Sequence, residues 1–183
     1  KRNDIKENTP AKYLFQIDDD IYAIKEWNGI SLSSEAIYEL IKEGFKECEE
    51  HGLRLWGICA YANYFFMKNK NSTNLKFICG NFHGTIMTGE KILTPINTLE
   101  DYFNTCEHYL SDGGVLRLNG YGTKTKFASE SGGLQSFLTT QQRQDEEVKN
   151  AFYLLNKFGK EMLRIIKKQR GLDIRLNHRF IQL

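Results

Sequence analysis

The chain has 183 residues, 40% of them hydrophobic and 26% charged, with a formal net charge of +2. That is enough for one domain with a real core, and no stretch reaches the apolar length that crosses a membrane. The opening Lys1-Arg2-Asn3-Asp4 lacks the form of a signal peptide, and Cys48, Cys59, Cys79 and Cys106 are scattered without a CxxC pair, which excludes an obvious structural zinc site and points to reduced, buried thiols of an intracellular protein.

Residues 1–12 are polar and read as a loose lead-in. Tyr13-Leu14-Phe15-Gln16-Ile17 follows as a short apolar strand, and Asp18-Asp19-Asp20 comes directly after it, before the apolar Ile21-Tyr22-Ala23-Ile24. Three adjacent carboxylates repel one another, and a divalent hard cation held through carboxylate oxygens is the simplest remedy. An exposed acidic turn after an edge strand is the plainer alternative, and the spacing leaves both open. The apolar flanks place the triplet at the C-terminal end of a central strand, facing a cleft.

A helix is well signalled from about Ser33 to Glu50, with Ile37, Leu40, Ile41, Phe45 and Cys48 on one face, a serine cap and a His51-Gly52 stop. Leu53–Cys59 reads as a strand, so strand, helix and strand open an α/β layer arrangement. Tyr61, Tyr64, Phe65 and Phe66 mark a loop. Strands are expected over Leu75–Cys79 and Thr85–Thr88, on either side of Gly80-Asn81-Phe82-His83-Gly84. Thr98 opens a second helix to about residue 111, and Val115–Leu118 is a short strand. From Asn119 to Gly133 four glycines and no periodicity predict a mobile loop. Gln141 to about Arg170 is expected to be helical, with Gly159 as a break, and Asp173–Leu176 and His178–Ile181 to be extended. Acidic residues are in surplus over residues 1–52, whereas Lys157, Lys160, Arg164, Lys167, Lys168, Arg170, Arg175 and Arg179 make the end of the chain basic. Such an end is either a footprint for nucleic acid or a phosphate-bearing ligand, or a solvated helix face.

The order of these landmarks resembles that of GT-A glycosyltransferases: a strand ending in Asp18-Asp19-Asp20, a Gly-rich turn at Gly80–Gly84, an acidic pair Glu100-Asp101 at a helix start, and a late His178. With Asp101-Tyr102-Phe103, Gly113-Gly114-Val115-Leu116-Arg117 and Gly132-Gly133-Leu134-Gln135 through Arg143, the chain is similar over residues 13–180 to the TET/JBP-associated glycosyltransferases, the group of the base J glucosyltransferase and phage DNA sugar transferases. The resemblance implies an α/β fold with a GT-A-like mixed sheet flanked by helices, residues 13–183 forming one catalytic domain. It also implies metal-dependent transfer, with Mn²⁺ or Mg²⁺, of a sugar from a nucleotide sugar (a UDP-sugar in the first place) to a hydroxyl. A hydroxymethylated pyrimidine in DNA is the favoured acceptor, and the setting is the cytoplasm or nucleus, or a host cell occupied by a virus or phage.

Carried over residue by residue, the resemblance makes Asp18 and Asp20 the metal-associated carboxylates, with Asp19 towards sugar or ribose and the register of the pair open. His178 would supply an imidazole to the metal or the diphosphate, Arg175 and Arg179 would pair with phosphates, and His83 would face donor or acceptor. Asp101 is the candidate base for the acceptor hydroxyl, with Glu100 beside it as donor contact or substitute. The same pair is also an ordinary acidic first turn behind a threonine cap. One departure stands out. Only twelve residues precede Tyr13, so the N-terminal nucleotide-binding part is expected to be missing or supplied by a second chain. Two other readings therefore stay open: a non-catalytic glycosyltransferase-like binding or scaffold module, and an acidic-cluster metal nuclease or phosphotransferase.

Overall fold

The computed structural model describes residues 2–126, 140–168 and 171–180. Helix α1 (Arg2–Asn8) leads into strands β1 (Tyr13–Ile17) and β2 (Ile21–Glu26), helix α2 (Ser34–Glu50), strands β3 (Leu55–Cys59) and β4 (Phe82–Ile86), helix α3 (Glu100–Asp112) and strand β5 (Leu116–Thr125). Helix α4 (Thr140–Phe158) and the hairpin β6 (Leu163–Lys168) and β7 (Gly171–Leu176) complete the order. The loose lead-in is thus a helix: Lys6 is buried and bonds the Ile92 carbonyl and the Asn104 side chain, while Asn3 exchanges hydrogen bonds with the Thr94 backbone.

The main sheet runs β1-β4-β3-β5-β2, with β3 and β5 parallel and the other pairs antiparallel. Its two outer strands are consecutive in the chain and are joined by Asp18–Asp20 alone. Four peptide steps reach at most about 14 Å, whereas the outer members of a flat five-stranded sheet lie roughly 19 Å apart. The sheet therefore has to curl until its edges approach. The central strand expected to carry the triplet is in fact an edge strand, because the antiparallel partner β4 lies between it and β3.

Helix α2 begins as the sequence predicts, with Ser33 Oγ accepting from the Ala36 amide, and lies over one face of the sheet. Its close approach depends on Trp56, fully buried, and on the two glycines that flank the indole. A Cβ on Gly44 would come within 2.6 Å of the ring, and one on Gly84 within 2.1 Å of Nε1. Phe15, Phe45 and Phe82 surround the same ring at centroid distances of 6.0, 5.4 and 6.2 Å. The opposite face packs Leu55 and Val115 with α3, α4 and the β6–β7 hairpin into a second core.

Several boundaries differ from the sequence reading for identifiable reasons. Leu75–Cys79 is not a strand; the Thr105 hydroxyl of α3 bonds both the amide and the carbonyl of Ile78, so no neighbouring strand is required. Asn119–Thr125 is not a loop but the second half of β5. Gly122 lies there because a side chain would strike the Ala62 backbone at 2.9 Å. The rest of the expected mobile loop, from residue 127 on, lies outside the described residues. The long C-terminal helix stops at Phe158: Gly159 takes a φ of 81° and its amide bonds the Leu155 carbonyl, after which the apolar Leu163, Ile165 and Ile166 enter a strand. Of the basic residues expected on one helix face, Lys157 lies in α4, where it is paired with Glu107 at 2.6 Å, and Arg164, Lys167 and Lys168 lie in β6.

Candidate functional site

The sheet's curl brings the end of β1, the start of β2 and the C-terminal end of β3 to one rim. The Asp18 amide bonds the Asn81 carbonyl at 2.9 Å, and the Asp20 carbonyl accepts from the Lys126 amide at 3.0 Å. Asp18 is half-buried, and Asp19 and Asp20 are exposed. Beneath the turn, Asn81 Nδ2 donates to the Ala60 carbonyl and to Thr123 Oγ1, and the Thr123 hydroxyl itself donates to the Ala60 carbonyl. These bonds fix the amide's orientation and leave Asn81 Oδ1 as a buried acceptor without a partner among the described residues. A buried acceptor without a donor costs roughly 1–3 kcal/mol, so the position asks for a donor or a cation.

Hard oxygen donors suit Mg²⁺ or Mn²⁺, and the acidic turn with the orphaned Asn81 oxygen beside it has that chemistry. Among the described residues, no group of three His, Cys, Asp or Glu side chains is arranged to hold an ion. An ion here would have to draw on Asp18, Asp20, Asn81 Oδ1 and water.

Glu100 and Asp101 open α3, but Thr98 does not cap it. Its hydroxyl accepts from Asn150 Nδ2 at 2.8 Å, and Leu99 stands at the cap with a φ of 62°, the only non-glycine residue with positive φ among those described. Left-handed backbone at a branched residue costs on the order of 1 kcal/mol. Since α3 descends towards the start of β5, its N-terminus lies at the same end of the sheet as the Asp18–Asp20 turn. Tyr102, in the first turn of α3, packs its ring on Phe77 at 4.4 Å and donates its hydroxyl to the Ile174 carbonyl, and its pKa is pushed up to about 12 by burial, then by Asp173, Asp101 and Cys79.

His83 is buried on the face opposite α2, with Nδ1 3.1 Å from the Gly80 carbonyl. Arg175 is exposed on β7, 3.8 Å from Asp173, and Arg179 is exposed in the turn after β7. His178 places Nδ1 2.8 Å from the Leu75 carbonyl. Burial lowers its pKa, the Leu75 bond works against that, and Lys76 and Arg117 lower it further. His178 therefore stands among cations.

The sequence reading missed those cations as a group. Arg117 stands on β5 beside Gly57 and bonds Asn119 Oδ1 at 2.6 Å, while Asn119 Nδ2 holds the Lys70 carbonyl and Ser72 Oγ. Burial pushes the guanidinium pKa down. Lys76 is lowered by burial, by Arg117 and by Lys68. The only sequence signal was a lone arginine in an apolar strand, which would otherwise require a partner. Tyr61, Tyr64, Phe65 and Phe66 stand exposed just after β3, on the segment that runs along β5 to Lys68. Gly132 to Gln135 lie outside the described residues, and Arg143 lies in α4.

The protein is thus a mixed α/β fold in which a curled sheet flanked by helices carries an acidic turn at one rim. No family model, curated protein or solved structure matches the chain. Among the described residues no helix is long and apolar enough to cross a membrane.

Proposed function

We propose that the chain is a metal-dependent glycosyltransferase of GT-A type that moves a sugar from a nucleotide-sugar donor to a hydroxyl acceptor. The observation that carries the reading is the orphaned Asn81 Oδ1 beneath Asp18–Asp20, an oxygen-only donor set at the rim where three strands meet. Asp18 and Asp20, with Asn81, would hold the ion, and a divalent ion so placed supplies charge stabilisation to a departing diphosphate. Asp101 is the candidate base that takes the acceptor proton. Its place at the start of α3, behind a strained Leu99, supports a fixed carboxylate at that end of the sheet. The exposed Tyr61, Tyr64, Phe65 and Phe66 support an acceptor with a flat ring to stack, and a hydroxymethylated pyrimidine in DNA is the favoured one.

A panel of nucleotide sugars incubated with the protein and Mn²⁺ tests this. Donor hydrolysis that needs the metal, and is lost in an Asp18→Asn, Asp20→Asn double variant that still folds, is the expected result. Hydrolysis indifferent to metal and to both substitutions would overturn it. The exposure of Asp19 and Asp20 favours a second reading, a binding module whose acidic turn holds nothing. On that reading Mn²⁺ leaves the melting temperature of the wild type and of the double variant unchanged.

A further inference from the structure

Lys6 of α1, Thr85 of β4 and His108 of α3 meet around a cavity that Ile86, Met87 and Ile92 also wall. About 10 Å³ of it is open to the centre of a water-sized sphere, which is room for one small occupant. The cavity lies at the end of the sheet away from the Asp18–Asp20 turn: Arg54, in its wall, precedes β3, whereas Ala60, beneath the turn, follows that strand.

Two of these residues leave a polar atom unsatisfied. Thr85 is 4% exposed, and its Oγ1 is buried without a hydrogen-bond partner among the described residues. His108 is 2% exposed, with Nδ1 2.8 Å from the Asn104 carbonyl. A carbonyl can only accept, so the neutral ring carries its proton on Nδ1 and keeps a lone pair on Nε2. Among the described residues that second nitrogen has no partner either.

The charges around the ring come from four elements. Lys6, from α1, is buried, and the Asn104 side chain holds its ammonium at 3.2 Å. Arg54 stands before β3, and Lys91 and the exposed Glu90 belong to the segment after β4. Asp112, at the end of α3, is taken up by Arg54, which donates to it from Nε and Nη2 at 2.9 and 2.7 Å. With the ring neutral, a water that donates to Nε2 and meets the Thr85 hydroxyl satisfies both atoms. Burial keeps the ring neutral until the pH falls to about 4. Once protonated, Nε2 becomes a donor, the hydroxyl can turn to donate as well, and a second buried cation stands near Lys6. Buried charge of one sign is costly unless an opposite charge joins it.

We propose that this cavity is a site for one small monovalent anion of the size of chloride, held by the Thr85 hydroxyl and by protonated His108 beside Lys6, so that anion and proton enter together. Both hydrogen bonds to the ion are charge-assisted, and the volume admits a single ion and no polyatomic phosphate. The site shares no residue with the acidic turn and does not rest on the transferase reading.

The test uses the whole protein in sodium chloride and in sodium methanesulfonate of equal ionic strength. The His108 ring is followed by NMR as the pH falls, and melting temperatures are taken at pH 4.5 and pH 7. Chloride is expected to raise the midpoint of the His108 titration by roughly half a pH unit, because an ion that binds only the protonated form draws the proton in. It should raise the melting temperature at pH 4.5 and leave it unchanged at pH 7. Thr85→Val keeps the shape of the side chain and removes the hydroxyl, and it should weaken the response to chloride by roughly tenfold. An unmoved His108 midpoint would mean that the cavity holds water only, and would overturn the proposal. An equal chloride effect at both pH values, or the full effect in Thr85→Val, would reduce it to ordinary salt stabilisation and overturn it as well.

Discussion

His108 should make this protein acid-labile in a narrow and measurable window. The imidazole is almost fully buried within α3, its Nδ1–H donates to the Asn104 carbonyl at 2.8 Å, and Lys6, Arg54 and Asp112 are the charged groups around it. Burial brings its pKa from an ordinary 6.5 down to about 4, against the opposing pull of the Asn104 bond and Asp112. Above pH 6.5 the ring is neutral in both folded and unfolded chains and contributes nothing to the pH dependence. Between 6.5 and 4 the unfolded chain takes up a proton that the folded one refuses, so stability falls as pH falls. The full difference is worth about 3 kcal/mol, of which roughly 2.5 kcal/mol is lost by pH 4.5. Urea unfolding at pH 7 and at pH 4.5, in the wild type and in His108→Gln, measures it. The variant loses packing at both pH values, but the drop between them should shrink by that amount. Parallel drops in the two proteins would show that acid acts elsewhere, and the argument from burial would fail.

Gly84→Ala should destabilise by about 3 kcal/mol or more, since the new methyl would lie 2.1 Å from Trp56 Nε1 and 2.8 Å from Phe45 Cζ; chemical unfolding followed by tryptophan fluorescence would show it. Asp112→Ala should cost on the order of 3–5 kcal/mol, because Arg54 donates to Asp112 through Nε and Nη2 and would keep a half-sheltered charge without its carboxylate. The same denaturation series reads that loss, and an Arg54→Met, Asp112→Leu pair should recover part of it. Cys48 and Cys106, whose thiols burial pushes up to about 12, should resist alkylation at pH 8 in the folded protein and react on unfolding, as mass spectrometry after an iodoacetamide pulse would report.

The elements that were legible in the sequence are those whose signals are local. Helix α2 carries its own apolar stripe, serine cap and glycine stop, and it forms within a residue of where they put it. Gly159 likewise ends α4 by its backbone alone. What misled was glycine used for contact. Gly120 and Gly122 read as loop punctuation, yet β5 runs through both, and at Gly122 the backbone of Tyr61 and Ala62 presses on the strand too closely for a side chain. The position of β1 was hidden for a related reason: alternating apolar residues look alike in a central strand and in an edge strand that another edge curls round to meet. The acidic turn was visible as a triplet, whereas its orphaned neighbour Asn81 arrives from sixty residues away. The setting of Arg117 was equally invisible, since the segment from Lys68 to Lys76 comes alongside β5 only through the Ser72 bridge.

The three-residue joint between the sheet's two edges also bears on how the molecule assembles. Neighbouring strands usually zip together as a hairpin early, but β1 and β2 each need a partner far along the chain, β4 and β5, before either has a ladder. The main sheet therefore draws its pairing from distant contacts, which predicts slow folding for a protein of this size, limited by loop closure rather than by helix formation. The Asp18–Asp20 turn is then the last stitch: it draws tight only when both halves of the sheet are in place. An ion that bound there would act as a latch on a finished barrel-like curl, slowing its opening while leaving the rate of its formation nearly untouched.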